Sequence, residues 1–349
     1  MIAPTPPNDD DEQPDEQQFD VPSPHARKYL HDQASVVLSE STLGKRKCEL
    51  RLFVEFLHKQ RGTTILDADK ADVEAFLKAY ARKGNRQETL RNKLSAVREL
   101  YKYTHTHSDA DELVLEPYAL DDMGRKIEKY NTPESMKREG LDEDEFEQLV
   151  EAAKFRRDQL MILVAYETAA RNKELRLLKL DDVDLEDNKV RFRRTKGSKS
   201  IEKPITERLA FEIEQWIEVD RAAWPTAEES DYLFPADKSE KLKTNEGFNN
   251  IIKEAASRAG IQEIKDESTL TERQQETMDA EGDTREWRRV TAHVLRHTHV
   301  KHFHDELEDD VLRENLGHES FSTTEEYYLP DEDHAETIRD AMSDSWDLD

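Results

Sequence analysis

The sequence has almost no cysteine and no long hydrophobic run. Cys48 is the single cysteine among 349 residues, which excludes an internal disulfide and the secreted scaffolds that depend on disulfides. The residues around Cys48 follow an apolar helical pattern, so we expect it to pack in a core. No window approaches the roughly 20 apolar residues of a membrane helix, and the N-terminus lacks the basic and apolar regions of a signal peptide. These absences predict a soluble cytoplasmic protein without membrane contact.

Basic residues are outnumbered by acidic ones, and the two kinds are unevenly distributed. The chain has 52 Lys and Arg against 79 Asp and Glu, which gives a net charge of −27. Residues 21–100 nevertheless carry +6, whereas residues 1–20 carry −7 and residues 101–349 carry −26. Because Lys and Arg supply most contacts to nucleic-acid phosphates, residues 21–100 are the candidate nucleic-acid-binding region. The acidity of the other surfaces resembles that of proteins from salt-accumulating halophiles.

Composition and periodicity divide the chain into a tail, two domains and a linker. Residues 1–22 are rich in Pro, Asp and Gln, and we expect a disordered acidic tail. Residues 23–115 contain three amphipathic helical patterns, which predict a small helical domain. Residues 116–139 lack a sustained period and hold two prolines, which indicates an interdomain linker. Residues 140–349 form the second predicted domain.

The third helical pattern is the best candidate for DNA recognition. An apolar stripe predicts that one of its faces is directed to the core; the stripe consists of Leu90, Leu94, Val97 and Tyr101. Polar side chains remain for solvent or DNA, namely Arg86, Arg91, Asn92 and Lys93. A solvated basic face on a small helical bundle would show the same pattern, so this segment alone leaves both interpretations open.

The second domain begins with a capping motif and continues into an apolar helix. Asp142 is an N-cap candidate with Glu145 three residues later. The apolar segment that follows changes abruptly to polar residues at Arg171, where a charge beside a buried helix requires a reason. Arg171 and Glu174 would form either a surface ion pair at i, i+3 spacing or part of a functional site.

A predicted β-hairpin follows this segment. Val190 and Phe192 alternate with charged residues ahead of a Thr-Lys-Gly-Ser turn. Residues 191–200 hold five basic and no acidic residues. Spacing alone does not choose the functional cation among Arg194, Lys196 and Lys199. Farther along, residues 261–290 are largely polar and acidic, and we expect them to form a surface insertion.

The stretch from His293 to Tyr328 concentrates cationic, imidazole and phenol side chains. A helix beginning near Ala292 would place His293, Arg296 and His297 on neighbouring faces, where they could meet one phosphate. The i, i+4 spacing of the two histidines also fits a helical zinc site. No glutamate lies between them, and Arg296 would repel a dication, so we expect no metal site.

This stretch resembles the C-terminal signature of the tyrosine recombinase, or phage integrase, family. That signature is H-x-x-R, then L-G-H, then a tyrosine nine residues after the last histidine; the matching residues are His293, Arg296, Leu316, Gly317, His318 and Tyr327. The family also has an A-R-x-x-E-L segment, which Arg171 and Glu174 match. Its hairpin lysine corresponds to Lys196 rather than to Arg194 or Lys199.

The resemblance implies a mainly α fold with two domains. An N-terminal SAM-like helical core-binding domain would cover residues 23–115. An α-rich catalytic domain with a small β-hairpin would cover residues 140–349, which include the acidic insertion at about 261–290 and a C-terminal tail. DNA contacts would come from the basic helix of the first domain and from Arg194 in the hairpin; those of the helix are Arg86, Arg91, Asn92 and Lys93.

The resemblance also implies an activity, namely site-specific cleavage and rejoining of duplex DNA through a 3′-phosphotyrosyl intermediate. Neither a metal nor ATP nor another cofactor is needed, because the phosphotyrosyl bond preserves the energy for religation. Tyr327 would attack phosphorus, while Arg171 and Arg296 would bind the non-bridging oxygens of the phosphate.

The remaining motif residues take supporting roles in this mechanism. His293 or His318 would accept the phenol proton, and Lys196 would protonate the 5′ oxygen as it leaves. Glu174 would orient the cations, and His297 would pack rather than react.

Family membership implies a tetramer on two paired duplexes, and two alternatives have related folds. A type IB topoisomerase would use similar residues to relax DNA, but the recombinase-like helical domain argues against it. An inactive DNA-binding regulator would retain the basic helix and lose part of the catalytic set, whereas all six positions are occupied here; they are Arg171, Lys196, His293, Arg296, His318 and Tyr327.

Overall fold

The computed structural model of the chain describes residues 19–36, 38–107, 113–134, 139–193, 200–269, 284–304, 306–307, 309–316, 332–342 and 346. The chain divides into two compact units, Met1–Met136 and Lys137–Asp349. The first unit is helical, and the second combines helices with two small antiparallel sheets. This architecture confirms the predicted mainly α fold.

The described helices of the first unit are α1 (Pro24–Val36), α2 (Glu40–Phe56), α3 (Lys70–Arg82), α4 (Gln87–His107) and α5 (Met123–Ile127). Their ends follow local sequence rules. A π-helical segment, Leu57–Arg61, extends α2 and stops at Gly62, whose φ of 65° forms a left-handed cap. Asp69 and Asp72 form a capping box at the start of α3, in which each carboxylate accepts from the other residue's backbone N–H at 3.0 Å.

An aromatic core joins α2, α3 and α4. The ring centroids of Phe53 and Phe76 lie 5.1 Å apart, and those of Phe53 and Tyr101 lie 6.4 Å apart. The Tyr101 hydroxyl donates to the Ile65 carbonyl at 2.8 Å, which satisfies the polar end of this buried ring. The three predicted apolar stripes therefore face one core.

Two details of the first unit differ from the sequence-based expectations. The predicted linker, 116–139, begins with a 3₁₀ helix and with α5, and both Leu120 and Met123 are fully buried in the core of this unit. The prediction that Cys48 packs in a core is wrong, because its side chain is exposed. Cys48 lies about 200° around α2 from the buried Leu50, at 100° per residue.

The described helices of the second unit are α6 (Glu143–Glu151), α7 (Arg156–Glu167), α8 (Asn172–Arg176), α9 (Glu207–Gln215), α10 (Asn245–Ala259), α11 (Ala292–Phe303), α12 (Asp309–Leu316) and α13 (Glu332–Met342). Its strands are β1 (Val183–Asp184), β2 (Lys189–Phe192), β3 (Ile201–Pro204), β4 (Ile264–Thr269) and β5 (Thr284–Arg288). The predicted capping box at Asp142 and Glu145 is confirmed at the start of α6.

The first sheet is antiparallel with the order β1, β2, β3. Phe192 pairs with Ile201 and Val190 with Lys203, so β2 and β3 flank the predicted turn in hairpin register. The second sheet consists of β4 and β5 and lies within the predicted insertion, 261–290. The described side chains of these two strands are exposed or half-buried.

Helix α7 is buried along most of its length and forms the centre of the second unit. Helix α11 packs against it through a hydrogen-bonded imidazole: the Tyr166 hydroxyl donates to His302 Nδ1 at 2.8 Å. His302 Nε2 in turn donates to the Leu141 carbonyl at 3.1 Å. This chain of bonds fixes α11, the helix with the H-x-x-R motif, relative to α7 and to the segment before α6.

Candidate active site

Arg171 follows a tight turn at the end of α7. The helix ends at Glu167, Thr168 caps it, and Ala169 adopts a left-handed φ of 46°. This reversal places Arg171 at the N-cap of α8 with 47% of its side chain exposed. A non-glycine residue in the left-handed region is strained by about 1–2 kcal/mol, so the surrounding contacts must hold the turn.

Glu174 is bonded twice to Arg171. Its carboxylate accepts from the Arg171 backbone N–H at 2.9 Å and from the guanidinium Nη1 of Arg171 at 3.0 Å. Burial opposes ionisation of Glu174, but the backbone hydrogen bond and the charges of Lys203 and Arg171 outweigh it and hold its pKa below the usual value. The i, i+3 ion pair, which was one of the two interpretations of the sequence, is present, and it orients a guanidinium that is 47% exposed.

Arg296 is buried, with 7% of its surface exposed. Its Nη1 donates to the Ala169 carbonyl at 2.7 Å, and its Nη2 donates to the Leu316 carbonyl at 2.6 Å. One guanidinium on α11 thus joins the turn before Arg171 to the last residue of α12, which precedes Gly317 and His318. These contacts bring three separate parts of the predicted motif together.

The two histidines flanking Arg296 lie near each other on α11. His293 is exposed in the first turn, and His297 is half-buried. Their ring centroids lie 4.8 Å apart with an interplanar angle of 84°. Among the described residues, no group of three His, Cys, Asp or Glu side chains could hold a metal ion.

Four predicted site residues lie outside the described residues: Arg194, Lys196, His318 and Tyr327. The competing candidate Lys199 lies outside them as well. Described elements near these residues in the chain are β2 and β3, on either side of the predicted turn, and α12, which ends at Leu316.

Two buried polar residues beside the motif were missed by sequence reasoning. His299 Nε2 and Asn315 Nδ2 lie 3.0 Å apart. His299 is 0% exposed and Asn315 is 3% exposed. Burial, reinforced by the charge of Lys203, lowers the pKa of His299 to about 3, so the imidazole is neutral and accepts from the amide. This pair joins α11 to α12 directly ahead of the L-G-H segment, and no residue pattern in the sequence indicated it.

Lys203 on β3 was also missed. Only 3% of Lys203 is exposed, and its ammonium donates to the Thr168 carbonyl in the turn before Arg171. A signal did exist in the sequence. Lys203 lies two residues from both Ile201 and Ile205, so in an extended strand its side chain shares the inward face with theirs.

The basic face of α4 differs from its prediction at one position. Arg91 and Asn92 are exposed, and Arg86 is half-buried. Lys93, however, is 3% exposed; its ammonium lies 2.5 Å from Glu49 Oε2 and 4.2 Å from the centre of the Tyr80 ring. Lys93 follows Leu90 by three positions, so the helical period places it on the buried face, where Glu49 neutralises it. The prediction that Lys93 lies on the face left for solvent or DNA is wrong for this reason.

In the described part of the chain, no helix has the length and apolarity to span a membrane.

The chain is similar to known protein families and to individual proteins. The family model described as "Phage integrase family" matches residues 139–334, and the model described as "Phage integrase, N-terminal SAM-like domain" matches residues 28–106. Tyrosine recombinase XerD of Yersinia pestis is 28% identical over 296 residues, which cover 83% of this chain and 87% of that protein.

Solved structures share the fold at lower identity. The structure of XerH site-specific recombinase bound to difH substrate has a TM-score of 0.57 and 18% identity, covering 86% of this chain and 84% of that one. The structure of a lambda integrase tetramer bound to a Holliday junction has a TM-score of 0.58 and 15% identity, covering 93% of this chain and 78% of that one. Because the first family model matches more than half of the sequence, the chain belongs to the phage integrase family of tyrosine recombinases.

Proposed function

We propose that this site-specific recombinase cleaves and rejoins duplex DNA at a site built around Arg171 and Arg296. The observation that carries the proposal is the anchoring of Arg296 between the carbonyls of Ala169 and Leu316. Those contacts hold one guanidinium beside the turn that presents the other. Two planar cations fixed in this way suit the non-bridging oxygens of a phosphodiester, whose charge grows in the transition state.

The chemistry assigns the reacting groups. The Tyr327 hydroxyl attacks phosphorus and forms the phosphotyrosyl bond, while the bond to the 5′ oxygen breaks. Because a free tyrosine has a pKa near 10, a base must remove the phenol proton during attack. His293 or His318 takes that proton, and Lys196 gives one to the departing 5′ oxygen.

Glu174 and His297 support these groups without reacting. Glu174 holds both the backbone and the guanidinium of Arg171. His297 is half-buried against His293, which suits a packing role. Arg194 contributes a DNA contact from the hairpin.

The test is a trapped covalent adduct. The wild-type protein is incubated with fragmented genomic DNA of its own organism, and the DNA in protein-linked adducts is sequenced to identify the cleavage site. A nicked duplex of that site should then trap the protein through Tyr327. Tyr327→Phe should bind the duplex and form no adduct, whereas the adjacent Tyr328→Phe should cleave normally. Trapping on Tyr328 would refute the assignment of the nucleophile.

The partner and environment follow from the same proposal. The lambda integrase structure holds a tetramer on a Holliday junction, and we infer that this chain likewise acts as a tetramer on two paired duplexes. From its DNA substrate we infer that it acts in the cytoplasm, associated with the nucleoid. The charge of −26 on residues 101–349 leads us to infer a protein adapted to high intracellular salt.

A further inference from the structure

Lys203 occupies a position where a charged residue is costly. It pairs with the fully buried Val190 in the register of β2 and β3, and only 3% of its surface is exposed. Its ammonium lies 5.7 Å from the centre of the Phe192 ring. A buried ammonium is destabilising unless its partners compensate, so the groups it contacts indicate why it is there.

One contact of Lys203 lies at the C-terminal end of α7. The Lys203 ammonium donates to the Thr168 carbonyl. Arg296 Nη1 donates to the next carbonyl along the chain, that of Ala169, at 2.7 Å. The last carbonyls of a helix lack partners within the helix and form the negative end of its dipole. Two buried cations from different elements therefore hold successive carbonyls of the strained turn that ends at Arg171.

Lys203 also acts on the carboxylate that orients Arg171. Its charge, together with that of Arg171 and the backbone hydrogen bond from Arg171, counteracts the effect of burial and lowers the pKa of Glu174. An ionised Glu174 accepts hydrogen bonds from both the backbone N–H and the guanidinium Nη1 of Arg171. Lys203 thus supports Arg171 through the turn on one side and through Glu174 on the other.

We propose that Lys203 is a positioning residue for Arg171, which fixes the turn of residues 168–170 and the Glu174 carboxylate and so directs the Arg171 guanidinium toward the scissile phosphate. This inference rests on the proposed role of Arg171. Lys203 needs no contact with DNA in this role, because it acts entirely through the protein.

The test compares Lys203→Met with Arg171→Gln on the duplex site identified by adduct trapping. For Lys203→Met we expect strand cleavage slowed about 10-fold to 100-fold, since a small misplacement of a catalytic group has effects of that size. DNA affinity should remain within about twofold of wild type, because Lys203 is buried away from the ligand. Lys189→Met is the matched control, as it removes a half-buried lysine from the neighbouring strand and should cleave at the wild-type rate.

A second substrate separates positioning from a general loss of structure. A methylphosphonate at the scissile position has no negative charge, so cleavage depends less on a guanidinium. The deficits of Lys203→Met and Arg171→Gln should both shrink to within about threefold on this substrate. An equal deficit of Lys203→Met on both substrates, or wild-type cleavage of the ordinary diester, would overturn the inference.

The outcomes also distinguish this inference from the proposed function. Unimpaired cleavage by Arg171→Gln on the ordinary diester would refute the proposed function itself. Slow cleavage by Arg171→Gln together with normal cleavage by Lys203→Met would refute only the role of Lys203. If Lys203→Met does not fold, Lys203→Gln retains a donor for the Thr168 carbonyl without the charge, and the same two substrates decide.

Discussion

At the residue scale, burial converts flexible cations into fixed ones. Arg296 is held by two carbonyls at 2.7 and 2.6 Å, and those carbonyls belong to residues 127 and 20 positions away in the chain. A guanidinium in solution samples many rotamers, whereas this one has its orientation before any DNA arrives. Such preorganisation lowers the reorganisation needed in the transition state.

His299 gives the clearest prediction for pH. Its pKa falls from 6.5 in the unfolded chain to about 3 in the folded one, chiefly through burial. A histidine with a lowered pKa contributes stability above pH 6.5, and that contribution is lost as the pH falls further. Relative to His299→Gln, which cannot titrate, the wild-type free energy of unfolding should fall by about 1.4 kcal/mol per pH unit below this point.

The measurement is urea unfolding of both proteins between about pH 7.5 and about pH 5, a range that lies on both sides of the unfolded-state pKa. Glu167 titrates in the opposite sense, because burial raises its pKa to about 7 and favours the folded state at lower pH. Glu167 is present in both proteins, so its effect cancels in the difference. Parallel pH profiles for the two proteins would show that His299 is not held neutral.

At the element scale, α11 depends on close packing by the segment before α6. A Cβ added at Gly140 would lie 2.7 Å from the His297 carbonyl oxygen and 2.8 Å from Thr298 Cα. The Leu141 backbone N–H donates to Thr298 Oγ1 at 3.0 Å, so this contact has little freedom to open. The backbone of the H-x-x-R helix would therefore have to shift.

Gly140→Ala should lower the free energy of unfolding by about 1–3 kcal/mol, as overpacking does, and it should slow cleavage by displacing Arg296. Gly124→Ala in α5 is the control, since no atom lies within 4 Å of its added Cβ. In a helix that change should be neutral or stabilising by up to about 1 kcal/mol. Thermal or urea unfolding of the two variants measures the contrast, and equal stabilities would contradict it.

Helix α4 has one face buried in the core, and its exposed residues are the proposed DNA contacts. Replacing Arg86 and Arg91 by Gln should weaken DNA binding and leave stability nearly unchanged, because the Arg91 pair with Glu128 is exposed and contributes about 1 kcal/mol or less. Lys93→Met should instead destabilise the fold by about 3 kcal/mol, because it leaves Glu49 without its buried partner. Fluorescence anisotropy with the identified site and urea unfolding separate the two effects. Unchanged affinity of the double variant would remove α4 from the DNA interface.

At the scale of the whole molecule, two charge effects oppose each other. DNA binding through Lys and Arg releases counterions, so affinity falls as salt rises, with a log–log slope near −0.9 per phosphate neutralised. The net charge of −26 on residues 101–349 repels itself and destabilises the folded state in dilute buffer. A Debye length of about 3 Å at 1 M screens most of that repulsion.

We therefore expect stability to rise with KCl from about 0.1 M upward, and recombination to be greatest at high salt. Thermal unfolding and strand cleavage are measured on the same samples across that range. Greatest stability in dilute buffer, with a steady decline as KCl increases, would refute the proposed salt adaptation.

The helices, their caps and the catalytic motif could be read from the sequence because each depends on nearby residues. The apolar period of α4 and the capping box at Asp142 involve positions within a few residues of each other. The two residues of the H-x-x-R motif, His293 and Arg296, likewise lie three positions apart on one helix. Such local patterns give the family and the identity of the motif residues before any tertiary contact is known.

Periodicity places Lys93 and Lys203 on inward faces, but tertiary structure alone decided which groups hold these buried cations. Lys93 is buried because Glu49, 44 positions earlier, reaches it from another helix. Lys203 is buried because the Thr168 carbonyl, 35 positions earlier, accepts a hydrogen bond from its ammonium at the end of α7. Periodicity describes the face of one element, whereas the stability of a buried charge depends on a partner from another, and that partner exists only once the chain has folded.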